Sequence, residues 1–149
     1  MMRRKEREFA LKVLYANDFN DIPVDEQFNY LKQTEPEFAT EFAKGLIKLC
    51  IEHKEELDTL IVSSLKHWKF ERVAVIDRIL LRMALTEFLY FEEIPPEVTM
   101  DESIEISKSY STEKSNQFIN GILDALLKKL KSSNKIKKSG RGLISNIVE

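Results

Sequence analysis

The sequence predicts an all-α protein, and three observations support that class. The 149 residues include only four glycines and four prolines, so few turns are encoded and long helices are favoured over many short strands. Apolar residues recur every three or four positions in successive segments, which is the periodicity of amphipathic helices. No strand-like alternation fits any segment better than this helical spacing does.

Three helices are predicted in the N-terminal third. The first is expected over residues 4–20, and it ends before Pro23, because proline disfavours helix at the residue that precedes it. Residues 24–33 form the second predicted helix. The third is expected over residues 36–52, with Pro36 in its first turn, where a missing N–H costs nothing.

Four more helices follow, which makes about seven in all. The fourth is expected over residues 57–68 and the fifth over residues 71–91, the longest, with apolar residues on most sides as in a central helix. Thr99 and Glu102 have the spacing of a capping box, so the sixth helix is predicted to start at Thr99 and to end near residue 110. Ser111 or Thr112 would cap the seventh, over residues 113–131.

The chain is long enough for one domain with a sizeable core. This domain is expected over residues 1–130. Beyond residue 130 the composition changes to Ser, Asn, Lys and Gly, so residues 131–149 are predicted to form a flexible basic tail. No apolar run approaches the roughly 18 residues of a membrane span, and the single cysteine fits a reducing, cytoplasmic environment.

Charge is distributed unevenly along the chain. Residues 1–12 carry five basic and two acidic side chains, a net +3, and residues 128–149 carry seven basic and one acidic, a net +6. The whole chain is −2, so the middle is −11. Two basic ends on an acidic body indicate one face for a polyanion and another for a basic partner.

Enzymatic chemistry has little support in the sequence. Cys50 and His53 are three residues apart and could face one side of a helix, but zinc normally takes three or four protein ligands and no second pair exists. We therefore expect a structural cysteine and a surface histidine, with no metal and no cofactor. No glycine-rich phosphate loop and no nucleophile in a recognisable setting is present.

Nucleic-acid binding has better support, from a basic cluster at Arg3, Arg4, Lys5 and Arg7. Such a cluster can neutralise phosphates and release counterions, although the termini of soluble proteins are often charged for solubility alone. Tyr15 and Phe118 are candidate stacking platforms for bases, although an aromatic residue of this kind, taken alone, is more often a core residue.

Phe118 has the more suggestive surroundings. The polar residues around it are rich in donors and acceptors for base edges: Lys114, Ser115, Asn116, Gln117 and Asn120. Asn120 and Gly121 also interrupt a helical pattern at a cost of roughly 1 kcal/mol for the glycine. Gly121 is expected to allow either an exposed polar site or close packing of its helix on a neighbour.

Three segments together resemble one protein family. They read FINGILD at residues 118–124, DESIEISK at 101–108 and RILLRMA at 78–84. In this order and spacing they resemble the NusB family of bacterial transcription antitermination factors, over residues 3–130. The resemblance implies two packed three-helix bundles that share a long central helix.

The resemblance also implies a function and a set of sites. Members bind single-stranded boxA RNA together with NusE, a protein of the small ribosomal subunit, and join an RNA polymerase antitermination complex, chiefly on ribosomal RNA operons. The RNA-binding positions would be Arg3, Arg4, Lys5, Arg7, Tyr15, Lys114, Ser115, Phe118 and Asn120. Positions facing NusE would be Asp77, with Arg78, Arg82 and Glu87 on the same helix.

Glu6 and Glu8 dilute the basic N-terminus relative to the family pattern, whereas Lys114 replaces a frequent acidic residue and should favour RNA.

Two other functions are compatible with the sequence. One is a helical protein–protein adapter without RNA. The other is an RNA-binding accessory of the kind fused to ribosomal RNA methyltransferases. The resemblance also allows a homodimer, through apolar residues such as Leu89, Tyr90 and Phe91.

Overall fold

The computed structural model describes residues 2–67 and 69–143, and this part of the chain is entirely helical, without strands. Seven α-helices are joined by short connections, two of which contain a 3₁₀ turn (Pro36–Phe38 and Phe70–Arg72), and a third 3₁₀ turn (Gly140–Leu143) follows the last helix. The α-helices are α1 (Met2–Asn20), α2 (Val24–Lys32), α3 (Glu41–Glu52), α4 (Lys54–Ser63), α5 (Val75–Tyr90), α6 (Pro96–Tyr110) and α7 (Glu113–Ser132). The predicted all-α class and helix number are confirmed.

Helix α5 lies at the centre of the molecule. It packs against α1, α3, α4, α6 and α7, while α1 also packs against α2 and α3. Eleven of the sixteen residues of α5 are buried, which follows from its apolar residues on most sides. The predicted arrangement of two three-helix bundles around a central helix is confirmed.

Two threonines cap helices as helix N-cap preferences would suggest. The Thr40 side chain accepts a hydrogen bond from the Ala43 N–H at the start of α3, and the Thr112 side chain accepts one from the Ser115 N–H at the start of α7. The prediction that Ser111 or Thr112 caps the seventh helix is therefore confirmed for Thr112.

The predicted start of the sixth helix is wrong. Helix α6 begins at Pro96, one turn before Thr99, since a proline in the first helical turn loses no hydrogen bond. Thr99 lies inside the helix and donates its hydroxyl hydrogen bond to Glu87. Glu102 pairs with Arg4 instead of capping α6.

The predicted limits of the third and fifth helices also differ from the structure. Pro36 opens a separate 3₁₀ turn, and α3 starts only at Glu41. The backbone is extended at Val73 and leaves the helical region at Ala74 (ψ 143°), so α5 has 16 residues and is shorter than α7, which has 20. Trp68, expected in the fourth helix, lies outside the described residues.

The thiol of Cys50 is buried beside Thr86, with 3.2 Å between Sγ and Oγ1. Burial raises the pKa of this thiol to about 12. Within residues 2–67 and 69–143, no group of three His, Cys, Asp or Glu side chains could hold a metal ion. None of the helices described is both long and apolar enough to cross a membrane.

Candidate nucleic-acid interface

The first turns of α1 carry the basic cluster, and the structure separates its four cations. Arg4 donates two hydrogen bonds of 2.8 Å to the carboxylate of Glu102 on α6. This fork-to-fork geometry is the strongest form of an arginine–carboxylate pair. Hydrogen bonding to the Glu102 carboxylate raises the pKa of Arg4 above its usual value. Arg4 therefore fixes α1 to α6, with 30% of its side chain exposed.

Arg7 lies inside the molecule, with 3% of its side chain exposed. Its guanidinium donates hydrogen bonds of 2.8 and 3.0 Å to Glu87 on α5. The same carboxylate accepts a hydrogen bond of 2.8 Å from Thr99 on α6. Three helices thus meet at one buried ion pair, and the position of Arg7 is that of a structural residue.

Arg3 and Lys5 are the cluster's exposed cations. Their side chains are 45% and 58% exposed, and their nearest carboxylates, on Glu6 and Glu8, are 3.8 and 3.7 Å away. The Arg3 guanidinium also lies over the Phe42 ring, 4.1 Å from its centroid. Long ion pairs on a surface contribute little, so both side chains can turn to a phosphate at low cost.

Phe118 lies in the second turn of α7, half-buried at the edge of an open cleft of about 240 Å³. The ring is accessible from the cleft, and the surface of the cleft is mainly apolar. The lining residues are Arg72, Val73, Ala74, Asp77, Lys114, Ser115 and Phe118. An apolar recess with a lysine at its edge is suited to a planar, uncharged ring that is linked to a negatively charged backbone.

The polar residues near Phe118 fall into two groups. Lys114 and Asn120 are exposed, and among the residues that the structure describes they make no side-chain hydrogen bond or ion pair. Ser115 instead donates its hydroxyl to Asp77, at 2.7 Å. The structure therefore brings Phe118 and Lys114 to one cleft, and leaves Asn120 on the surface of α7.

Gly121 is exposed, and a Cβ atom built there would meet nothing within 4 Å. The interpretation of this glycine as a close-packing position is wrong.

Tyr15 is half-buried on α1 and stacks on Phe19, with 5.2 Å between ring centroids. Twelve residues separate Tyr15 from Arg3, which is about 18 Å along a helix.

Most of the residues predicted to face a protein partner have side chains on α5 that are buried in the protein. Asp77, Arg82 and Glu87 are 4%, 6% and 2% exposed. Asp77 accepts hydrogen bonds from Ser111 and Ser115, at 2.8 and 2.7 Å, and so ties the start of α7 to α5.

Arg82 donates to Asp58 on α4, at 2.6 and 3.1 Å, and lies 3.6 Å from Asp18 on α1. Arg78 is half-buried, with its guanidinium 5.3 Å from the centroid of the Phe70 ring. Helix α5 thus uses its charged residues to position its neighbours. A direct contact with a partner through Asp77, Arg82 or Glu87 stays a prediction, and their burial favours an indirect role.

The two halves of the interface lie at opposite ends of α5. Glu87 holds the N-terminal cluster through Arg7, and Asp77 holds the Phe118 region through Ser115. Ten residues of helix separate these carboxylates, or about 15 Å. The sequence pattern did not predict that Glu87 and Glu102 pair with Arg7 and Arg4, because an ion pair between residues 80 or 98 positions apart leaves no local pattern in the sequence.

Comparison with known proteins gives the same family throughout. The NusB family model matches residues 4–128. The transcription antitermination protein NusB of Salinibacter ruber is 43% identical over 145 residues, covering 95% of this chain and 91% of that protein.

Among solved structures, T. maritima NusB superposes with a TM-score of 0.78 at 38% identity, covering 85% of this chain and 91% of the other. The NusB chain in a complex of the antitermination factors NusB and NusE with dsRNA superposes with a TM-score of 0.77 at 26% identity, covering 86% and 97%. The sequence match spans nearly the whole chain and the fold agrees with it, so this chain belongs to the NusB family.

Proposed function

We propose that this chain is a transcription antitermination factor that binds single-stranded boxA RNA together with NusE. The pair would join the RNA polymerase elongation complex in the cytoplasm, chiefly on ribosomal RNA operons. The family is one of antitermination factors and not of enzymes. The mechanism is therefore one of assembly, in which a composite surface binds RNA more tightly than either protein alone.

The observation that carries this proposal is the half-exposed Phe118 ring beside Lys114 at the edge of an apolar cleft. Unstacked bases of single-stranded RNA bind by stacking on aromatic side chains. Lys114 stands one helical turn before Phe118 and lines the same cleft, so its ammonium would bind the phosphate of a nucleotide stacked on the ring. Asn120, exposed in the next turn, offers a donor and an acceptor for a base edge.

Arg3 and Lys5 supply the electrostatic part of the proposed RNA surface. They are exposed and only loosely paired, so RNA phosphates would replace weak surface contacts. Arg4 and Arg7 would position Arg3 and Lys5 indirectly, since their ion pairs with Glu102 and Glu87 hold α1 against α6 and α5. An RNA strand that reaches from Arg3 to Phe118 would follow the length of α5.

NusE is proposed to dock on the acidic body of the protein. The net −11 of residues 13–127 complements a partner that is basic, as ribosomal proteins generally are. Asp77 and Arg82 would act by fixing α7, α4 and α1 around α5. Self-association remains a prediction; Tyr90 and Phe91 are half-buried, against His53 and Phe42 respectively.

A fluorescence titration tests the proposal, with boxA-type RNA and a scrambled RNA at equal salt, each with and without NusE. Selective binding that NusE strengthens is the expected result. Equal affinity for the two RNAs would reduce the basic residues to non-specific electrostatics. Absence of RNA binding even with NusE would favour a helical adapter without RNA function.

A further inference from the structure

The segment 133–143, here called the C-terminal strap, lies beyond the residues that the family model matches and yet packs on the helical body. Asn134 adopts a left-handed conformation (φ 57°), which ends α7, and the Lys135 N–H donates to the Leu130 carbonyl. This is the usual way for a chain to turn back at a helix end. Ile136 then packs against the core.

Lys138 anchors the strap at the carboxyl end of α5. Its ammonium donates hydrogen bonds to the main-chain oxygens of Glu87 and Phe91, at 3.0 and 2.8 Å. The Glu87 oxygen also accepts a hydrogen bond from the Phe91 N–H, and the Phe91 oxygen accepts one from the Ile94 N–H, both at 3.2 Å. Lys138 is therefore a second donor to each carbonyl, at the helix end that carries the negative dipole.

Two contacts fix the next residues of the strap against Glu92. The Ser139 N–H donates to the Glu92 carbonyl at 3.0 Å. Gly142 is buried so close to the same carbonyl that a Cβ atom would come within 1.9 Å of its oxygen. The strap can dock in this way only with a glycine at position 142, and this docking places Arg141 on the adjoining surface.

Arg141 and Arg3 line one cleft of about 320 Å³. The cleft is lined by Arg3, Phe42, Phe91, Glu92, Glu93, Ile94, Pro95 and Arg141. Glu92 and Glu93 are part of this lining, but among the described residues Arg141 makes no ion pair with either. Within the described part of the chain, the only carboxylate contact of the Arg3 guanidinium is the long one of 3.8 Å with Glu6. Two guanidinium groups at one cleft, without a short carboxylate hydrogen bond, fit the phosphate groups of a nucleic acid.

We propose that the docked C-terminal strap completes the RNA surface at the end of α5, with Arg141 and Arg3, which line the same cleft, both binding the RNA backbone. The inference rests on the proposed RNA-binding function and adds to it a phosphate-binding residue outside the family's matched region. RNA is favoured over a peptide because the cleft continues the exposed cations of α1.

Arg141→Ala in the full chain is the direct test, with boxA-type RNA as the probe and Lys137→Ala as the matched control. Lys137 is an exposed cation on the same strap and does not line the cleft. One phosphate contact on a single strand contributes about 0.7 to the slope of log affinity against log salt, or about fivefold in affinity at 0.1 M salt. Arg141→Ala should show both losses, and Lys137→Ala neither.

Gly142→Ala tests whether docking is what positions Arg141. The added methyl group should displace the strap, increase hydrogen exchange at the Ser139 amide and weaken RNA binding. Arg141→Ala made on top of Gly142→Ala should then cost little more, since coupled residues give non-additive losses. Circular dichroism checks that the helical body is unchanged.

Three results would overturn the inference. Equal affinities for Arg141→Ala and Lys137→Ala would remove Arg141 from the site, and a full additional loss in the Gly142→Ala background would remove the strap's role. Either leaves the RNA-binding function standing if the unaltered protein binds boxA selectively. Absence of RNA binding by the unaltered protein would overturn both the inference and the proposed function.

Discussion

Arg7 shows how the meaning of a charged residue depends on its depth in the molecule. In sequence it belongs to a basic cluster, but in the structure its side chain is 3% exposed and pairs with Glu87. A buried ion pair contributes modestly as a unit, because both groups were desolvated to form it. Removal of one partner is costly, since the other charge is then left buried alone.

We therefore expect Arg7→Ala to lower the free energy of unfolding by about 3–5 kcal/mol. Arg3→Ala, at an exposed site, should change it by less than about 1 kcal/mol. Urea unfolding followed by circular dichroism measures both variants. A loss at Arg7 no larger than that at Arg3 would show that the Glu87 carboxylate finds solvent or another partner.

Phe118 is the second residue whose surroundings define a role. If a base stacks on this ring, Phe118→Ala should weaken boxA RNA binding by about 1–3 kcal/mol. Tyr30→Ala is the control, because Tyr30 is an exposed aromatic on α2, outside the proposed RNA surface. The RNA titration measures both variants, and an unchanged affinity in folded Phe118→Ala would exclude the stacking role.

At the scale of single elements, α7 combines a helical sequence with a glycine that its packing does not require. The space beyond Gly121 is open, so an alanine there can be accommodated without a clash. Gly121→Ala should then stabilise the protein by about 1 kcal/mol, the helix-propensity difference between these residues. Thermal or urea unfolding measures the gain.

The same variant separates stability from function. If Gly121 leaves room for RNA beside Asn120, the stabilised Gly121→Ala protein should bind boxA RNA less tightly. A stabilised variant with full RNA affinity would show that the glycine has no part in the interface.

The C-terminal strap is an element whose docking should respond to pH through Lys138. Burial lowers the pKa of Lys138 from 10.5 to about 8, although Glu87, Glu92 and Glu97 act to raise it. The docked state therefore releases its proton at a lower pH than the undocked state. Between about pH 8 and 10.5 the undocked state binds more protons, so docking becomes more stable as pH rises through that window.

We expect the stability difference between the unaltered protein and Lys138→Met to increase in favour of the unaltered protein from pH 8 to pH 10.5, because methionine does not titrate. Urea unfolding at several pH values measures this difference. A constant difference across the window would mean that Lys138 keeps its ordinary pKa and that the strap is open in solution.

At the scale of the whole molecule, charge is divided between two basic ends and an acidic body. The two basic ends of the chain come together at one place, where the first turn of α1 and the strap both border the cleft that Arg3 and Arg141 line. Phe118 lies away from this cleft, toward the other end of α5. In the proposed complex, RNA would bind at this cleft and the acidic body would be available to a basic protein.

Association with NusE should therefore be electrostatically steered. The association rate is expected to fall by roughly tenfold or more as salt rises from low to high concentration, with a much smaller change in the dissociation rate. Stopped-flow fluorescence at several salt concentrations measures both rates. An association rate independent of salt would contradict docking on the acidic body.

Local pattern was sufficient to predict most of the fold. The apolar periodicity of α1, α2 and α7 predicted these helices to within a few residues, because amphipathic spacing is a property of the segment itself. The start of α6 was wrong because Thr99 and Glu102 have the spacing of a capping box but bind Glu87 and Arg4. When a side chain has two possible partners, it binds the one that lies within hydrogen-bond distance in the folded protein, and the spacing of residues in the sequence does not show which one that is.

The sequence by itself determined the helical class, the family, the basic cluster and the polar setting of Phe118. Only the tertiary structure decided which cations face solvent, because Glu87 and Glu102 select Arg7 and Arg4 from distances of 80 and 98 residues. It alone also placed Asp77 in the interior and brought Arg141 and Arg3 to one cleft. The reason is that desolvation and ion pairing depend on neighbours in space, whereas helix formation depends largely on neighbours in sequence.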